Sequence, residues 1–206
     1  MDMNNKIKQA LIELDIKASE TQINLWIDYL KLLEKWNKVY NMTAIKNIDD
    51  MLVKHLFDSL AVAKYLKGSS TIDVGTGGGL PGVVLAILYP DHQFTLVDSV
   101  GKKIMFLKNV KKTLGLNNIN PMNSRVEELG GSFDNIISRA FSSVDTFYEL
   151  CKQFLTADNQ MLAMKGPDLE EQNLAKLPLD TQKFKIKVPF LKAERNLIVM
   201  RKKDAK

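Results

Sequence analysis

The stretch Thr71-Ile72-Asp73-Val74-Gly75-Thr76-Gly77-Gly78-Gly79-Leu80-Pro81-Gly82 reads as a strand entering a glycine-rich turn and then a helix. Its glycines let the backbone pass close to a ligand and adopt dihedrals that other residues avoid. Pro81 suits the first turn of the helix, where a missing N–H costs nothing. Gly77 to Gly82 satisfies the G-x-G-x-x-G dinucleotide pattern, whereas counting from Gly75 puts Leu80 where the third glycine belongs. Asp73 bears on the choice. A carboxylate at a strand end is poorly placed beside a pyrophosphate and well placed near the ammonium and sulfonium of S-adenosylmethionine. A run of glycines also destabilises a helix start, so a turn with no ligand is a poor account of it. The next apolar run, Phe94-Thr95-Leu96-Val97, ends in Asp98. An acid there, about 20 residues past the first turn, can accept both hydroxyls of an adenosine ribose. It serves NAD and S-adenosylmethionine alike, and Asp98 or Ser99 could instead cap the following helix.

Other residues narrow the chemistry by type. Methylation at C5 of a pyrimidine needs a cysteine nucleophile, and Cys151, within an expected helix over 144–155, is a packing residue by position. Methylation of an exocyclic amine commonly uses an Asn/Asp-Pro-Pro-aromatic loop after the fourth strand, where this chain has Ser138-Arg139-Ala140-Phe141. His55, four residues before Ser59, is a helix-surface or capping histidine or a site residue. Lys165, at the end of an expected strand before Gly166-Pro167, falls on the edge of a sheet where ligands bind. Arg139, Lys165 and Arg195 can form a basic rim for RNA backbone, extended by Arg125 and Lys102; such contacts are salt-sensitive and carry no sequence choice.

The elements that must position these residues follow from periodicity. A helix is expected over 5–16. Ser19, with Gln22 as capping-box partner, opens a second, in which Ile23, Trp26, Ile27, Leu30, Leu33 and Trp36 recur at helical spacing up to about Tyr40. A third runs from Asp50 to Leu66 and stops at Gly68. Beyond Gly68 short apolar runs alternate with helices, which predicts an α/β fold with a parallel sheet. Strands are expected at 71–74, 93–97, 118–122, 134–138, 160–165, 182–189 and 196–201, and helices at 80–88, 101–115, 125–129, 144–155 and 168–175. The last two strands have no helix between them and should pair as an antiparallel hairpin. Residues 1–68 form a helical extension packed on a Rossmann-like core, 69–206, as one structural unit.

Composition sets the setting. Of 206 residues 45% are hydrophobic, enough for a full core, and the net charge is +5. The excess is clustered: residues 101–112 carry five lysines and no acid, and residues 183–206 carry nine basic residues against Glu194 and Asp204. Clustered positive charge favours a polyanionic partner. A single cysteine precludes an intramolecular disulfide, and with no secretory pattern near Met1 the expected compartment is the reducing cytosol. The longest apolar run, Leu80 to Tyr89, is shorter than the roughly 20 residues a membrane span needs. The residues alone leave open a methyltransferase acting on RNA, on a small molecule or on a protein, a dinucleotide-binding oxidoreductase, and a catalytically silent RNA-binding module.

Several motifs taken together resemble the bacterial RsmG (GidB) family. They are Asp73 to Gly82, Val97-Asp98-Ser99-Val100-Gly101-Lys102-Lys103, Phe106-Leu107, Ser124-Arg125-Val126-Glu127-Glu128, Ile137-Ser138-Arg139-Ala140-Phe141, Tyr40-Asn41-Met42-Thr43, His55-Leu56-Phe57-Asp58-Ser59 and Lys165-Gly166. They span nearly the whole chain, and Met42 stands where relatives often carry leucine. The resemblance implies a class I S-adenosylmethionine-dependent methyltransferase fold and methylation of N7 of one guanine, conventionally position 527, in 16S ribosomal RNA. It implies S-adenosylmethionine as cofactor, with Gly75 and Leu80 lining it, Asp98, Ser99 and Val100 at its ribose, Val126 and Glu127 at its adenine, and Arg139 as a further contact. Asp73, Gly77 and Gly79 complete the expected cofactor set. The implied partner is ribosomal RNA or the small subunit, with no membrane, no metal and no obligate protein partner. Guanine N7 has a free lone pair and no proton to lose, so no general base is expected; Arg139, Lys165 and His55 are positioning candidates.

Overall fold

A computed structural model describes residues 2–139, 141, 143–167, 174 and 177–203. Helices α1 (Met3–Glu13) and α2 (Glu20–Tyr40) come first. Asp2 caps α1 by accepting from the Asn5 amide, so the helix lies a little earlier than its apolar periodicity suggests. Ser19 and Gln22 form the expected capping box on α2. Gln22 Nε2 also donates to the carbonyls of Ile87 and Leu88, both at 2.9 Å. One side chain therefore satisfies orphan groups at the start of one helix and the end of another.

The expected third helix, Asp50 to Leu66, is not continuous. It consists of α3 (Ile48–Met51), a π-helical segment over Leu52–Phe57, α4 (Asp58–Leu60) and a 3-10 turn at Ala63–Tyr65. π-helical insertions inside helices concentrate at functional sites, and this one carries His55. Ser59 Oγ donates to the His55 carbonyl at 2.6 Å, beside the backbone amide of Asp58 that the same carbonyl accepts.

Seven strands follow: β1 (Ser70–Val74), β2 (Gln93–Asp98), β3 (Ile119–Asn123), β4 (Asn135–Ser138), β5 (Gln160–Lys165), β6 (Leu179–Ile186) and β7 (Arg195–Lys202). They form one sheet in the order β3-β2-β1-β4-β5-β7-β6. The first five are parallel, and β7 lies antiparallel between β5 and β6. The hairpin is as expected, with β6 starting and ending three residues earlier than its apolar pattern indicates. Helices α5 (Gly82–Leu88), α6 (Gly101–Leu114) and α7 (Val144–Cys151) lie between strands. The helix expected at 125–129 is a single 3-10 turn, Val126–Glu128, and that expected at 144–155 ends at Cys151 with a 3-10 turn beyond it. The helix expected at 168–175 lies outside the described residues, Leu174 aside.

Strand alternation sorts the core into two layers. Phe94, Leu96, Ile137, Leu162, Leu197 and Val199 point to one face, where α1, α2, α5 and α6 pack in a single hydrophobic cluster. Ile72, Val74, Ile136, Met161, Ala163 and Ile198 point to the other, against α7. The N-terminal helices thus share a core with the sheet, and their polar tips reach further. Trp26 Nε1 donates to the Val84 carbonyl at 3.0 Å, and the Tyr29 hydroxyl to the Gly78 carbonyl at 2.7 Å. Tyr29 is fully buried, so the second bond ties the glycine turn to α2 from below. Replacing Tyr29→Phe leaves a buried carbonyl short of its donor, and should cost about 1–2 kcal/mol in denaturant unfolding. The same substitution should weaken ligand binding at the turn without changing the circular dichroism spectrum.

Candidate functional site

Strands β1, β2, β4 and β5 all end on one edge of the sheet, and strand order reverses between β1 and β4, where ligands of open α/β sheets bind. β7 runs the other way, so its first residues, Arg195 and Asn196, reach the same edge. Two clefts lie there side by side.

The first cleft, about 230 Å³, is formed among others by Val74, Gly75, Asp98, Ser99, Val126 and Glu127, with Arg125 at its wall. Positive φ angles at Gly75, Gly77 and Gly79 (68°, 59° and 93°) shape the turn after β1. A Cβ on Gly77 would meet nothing nearer than the Gly75 carbonyl at 3.9 Å, so this stretch of backbone presents open surface to a ligand. Asp98 Oδ2 accepts from the Gly77 amide at 3.0 Å and from Lys103 Nζ at 3.3 Å, and its Oδ1 from the Val100 amide at 2.9 Å. The carboxylate of β2 thereby holds the turn of β1 and the start of α6 in register. It does not cap α6 within the helix, because Val100 itself occupies the cap position. Leu80 is buried and precedes Pro81, their peptide bond being cis, and Pro81 stands one residue ahead of α5.

Asp73 is fully buried beneath the turn. Its Oδ2 accepts from Thr76 Oγ1 at 2.7 Å and from the Gly82 amide at 2.9 Å, while Oδ1 has no partner. Burial pushes its pKa up to about 6, against the pull of those two donors and of Arg139. A Cβ on Gly82 would stand 2.8 Å from Asp73 Oδ2 and 2.3 Å from Leu96 Cδ2, so only glycine fits there. The residues suit S-adenosylmethionine: a carboxylate ends β2 where a ribose would lie, and an under-satisfied buried carboxylate underlies the turn where a cation would be welcome.

The second cleft, about 330 Å³, is walled by Ile45, His55, Asp58, Arg139, Lys165, Arg195 and Asn196 among others. Asp58 is nearly buried and bridges two arginines, accepting from Arg139 Nη1 at 3.3 Å and from Arg195 Nε at 3.1 Å. Arg139 Nη1 also donates to the Lys54 carbonyl at 3.0 Å. Lys165 Nζ donates to the Phe141 carbonyl at 2.5 Å, and burial lowers its pKa. With one carboxylate against two arginines and two lysines, Lys54 and Lys165, the cleft is net positive.

His55 is 4% exposed, which removes the helix-surface reading. Its Nε2 lies 2.9 Å from Thr43 Oγ1, and its Nδ1 lies 3.1 Å from the Lys54 carbonyl and 3.3 Å from Arg139 Nη2. Burial first, and then Arg139, depress its pKa to about 4, so the ring is neutral at pH 7. The Lys54 carbonyl only accepts and the Arg139 guanidinium only donates, so Nδ1 cannot serve both contacts in one tautomer. Asn37 fixes Thr43 in turn: Oδ1 accepts from the Thr43 amide at 2.8 Å, and Nδ2 donates to the Ile45 carbonyl at 2.9 Å.

Arg139, Lys165 and Arg195 thus share one cleft, Arg125 lies at the other, and Lys102 is exposed on α6 and lines neither. Asp58, Asn196 and Thr43 were not singled out from sequence. The spacing of His55 and Asp58, three residues apart within a helical stretch, was the available signal for Asp58. Cys151 is buried, with its thiol pushed up to about 12 by burial, consistent with packing rather than nucleophilic chemistry. Among the described residues no group of three or more His, Cys, Asp or Glu could hold a metal ion.

A sheet of this order with one reversed strand, a glycine turn after β1 and an acid ending β2 is the class I methyltransferase fold. Magnesium protoporphyrin IX methyltransferase from Synechocystis with bound SAH superposes with a TM-score of 0.59 at 17% identity, covering 84% of this chain and 96% of that one. A SAM-dependent methyltransferase from Aquifex aeolicus gives 0.56 at 21% identity, covering 73% and 92%. The profile of the GidB family, rRNA small subunit methyltransferase G, matches residues 22–199, and the chain belongs to that family. Proteins named ribosomal RNA small subunit methyltransferase G are 85% identical in Francisella philomiragia and 82% identical in Francisella tularensis subsp. novicida, each over 98% of both chains.

The raised pKa of Asp73 yields a test with a defined sign. Its folded value, about 6, lies above the ordinary carboxylate value of 3.8. The folded protein therefore holds the proton longer, and this group's contribution to stability falls as pH rises from about 4 to about 6. In thermal unfolding, the stability of Asp73→Asn relative to the parent should climb through that window and level off above it. Binding of S-adenosylmethionine to the parent should weaken below about pH 6, and in Asp73→Asn it should be weaker throughout without that pH step.

Proposed function

We propose that this chain transfers a methyl group from S-adenosylmethionine to N7 of a single guanine in 16S ribosomal RNA, position 527 by the family resemblance. The observation that carries the reading is the pair of adjoining clefts on one sheet edge. One is built for a nucleoside, and the other is cationic and holds no free general base. Family membership supports the same assignment.

The cofactor supplies an electrophilic methyl group when bound, and the protein's part is placement. Asp98 accepts the ribose hydroxyls, Ser99 and Val100 flank them, and Val126 with Glu127 borders the adenine. Gly75, Gly77 and Gly79 bring backbone against the amino-acid end, with Leu80 behind them. Asp73 acts from beneath: it fixes the turn through Thr76 and Gly82 and lends negative charge to a cationic ligand.

In the second cleft Arg139, Lys165 and Arg195 hold phosphate or base oxygens of the RNA. The N7 lone pair forms the new N–C bond while the S–C bond breaks and its electron pair stays on sulfur. No proton leaves, so neutral His55 serves as a brace for Arg139 rather than as a base. Catalysis is then alignment at near-attack distance. The partner is ribosomal RNA or the small subunit, and the proposed compartment is the cytosol; among the described residues no helix is long and apolar enough to cross a membrane.

The deciding assay uses labelled S-adenosylmethionine and small subunits lacking the N7 mark, with the modified base mapped. Label on one guanine N7 is expected. Cofactor binding without transfer to subunits or to naked 16S RNA would move the reading to a small-molecule substrate.

A further inference from the structure

Asn196, at the start of β7, is 3% exposed and forms part of the wall of the cationic cleft. Its Nδ2 donates to the Gly166 carbonyl at 3.1 Å, while its Oδ1 is buried with no hydrogen-bond partner. The bond to Gly166 settles which end of the amide is which, since the reverse orientation would set two oxygens face to face. A buried acceptor left unpaired costs free energy unless a ligand satisfies it.

Position separates this acceptor from the cofactor cleft. In the sheet order, β7 is three strands from β1 and four from β2. At about 4.8 Å per step, that is roughly 14 Å from β1. Asn196 therefore belongs to the substrate side.

The neighbouring groups limit what it can meet. Arg139, Lys165 and Arg195 only donate, so an oxygen acceptor of a base, such as O6 of guanine, goes to them while the N7 lone pair is left free for the methyl group. Asp58 is already engaged by the two arginines. A base whose opposite edge carries donors then needs an acceptor, and among the described residues of the cleft Asn196 Oδ1 is a buried acceptor without a partner. Guanine has that arrangement: O6 and N7 on one edge, N1–H and an exocyclic amino group on the other.

Resting on the guanine-N7 reading above, we propose that Asn196 Oδ1 accepts a hydrogen bond from the exocyclic amino group of the target guanine and so selects guanine over purines that lack it. Sites built to hydrogen-bond a substrate group reject analogues without that group because their own polar atom is then left unpaired.

The test is methyl transfer to small subunits reconstituted with 16S RNA carrying either guanine or inosine at the target position. Inosine keeps O6, N7 and N1–H and lacks only the amino group. The readout is the guanine-to-inosine ratio of kcat/KM, which does not depend on the fraction of protein folded. The parent enzyme should prefer guanine by at least about tenfold. Asn196→Ala should lose that factor on guanine and nothing further on inosine, bringing the ratio near one, while cofactor binding by calorimetry stays as in the parent. A parent ratio near one overturns the proposal, as does a preference that persists in Asn196→Ala. Failure of the parent to methylate guanine-bearing subunits at all overturns the underlying reading, and the inference with it.

Discussion

The buried carboxylate of Asp73 is the constraint on which the ligand edge depends. It lies at 0% exposure with one oxygen committed to Thr76 and Gly82 and the other unmatched. An uncompensated charge inside a protein is expensive, and here it is kept beneath the glycine turn at the ligand edge, where a cationic ligand would offset it. Around it the turn is over-determined: Tyr29 holds the Gly78 carbonyl from one side, and Asp98 holds the Gly77 amide from the other. Three side chains from α2, β1 and β2 thus converge on about six residues of backbone. The glycines supply the dihedrals, and the surrounding side chains choose among them.

A second carboxylate organises the other cleft differently. Asp58 pairs with Arg139 and Arg195, which approach from the end of β4 and the start of β7. Those pairs are desolvated enough to be worth more than surface ion pairs, and breaking one leaves the partners exposed to the full cost of an unpaired charge. The bridge also limits how far either guanidinium can stray, so the cleft presents a preset fork instead of flexible tails. His55 adds a neutral brace because its surroundings keep it from charging.

What could be read from the sequence divides by the range of the interaction. The glycine turn, Asp98 and the Ser19 capping box are local patterns whose partners lie within about 25 residues, and they are found where expected. The parallel order with a final hairpin followed from alternating runs, although β6 shifted because its exposed edge carries polar residues that blur the apolar limit. Asp58 with Arg195, 137 positions apart, and Tyr29 with Gly78, 49 apart, left no local trace. Trp26 was legible as core through its spacing and Tyr29 was not, and the hydrogen bonds at the tips of both left no trace in the pattern. The π-helical segment was equally hidden, since the apolar rhythm of Leu52, Leu56 and Phe57 suits an α-helix as well.

The reversed strand β7, lodged between β5 and β6, carries a consequence for how the chain comes together. β6 is made before β7, and among the described residues β7 is its one neighbour in the sheet. During synthesis β6 must therefore wait as an unpaired strand until the residues that will shield it have emerged. The same late segment delivers Arg195 and Asn196 to the cationic cleft. A partly made chain can thus carry β1 to β5, with Arg139 and Lys165 already at the ligand edge, before Arg195 and Asn196 arrive with β7.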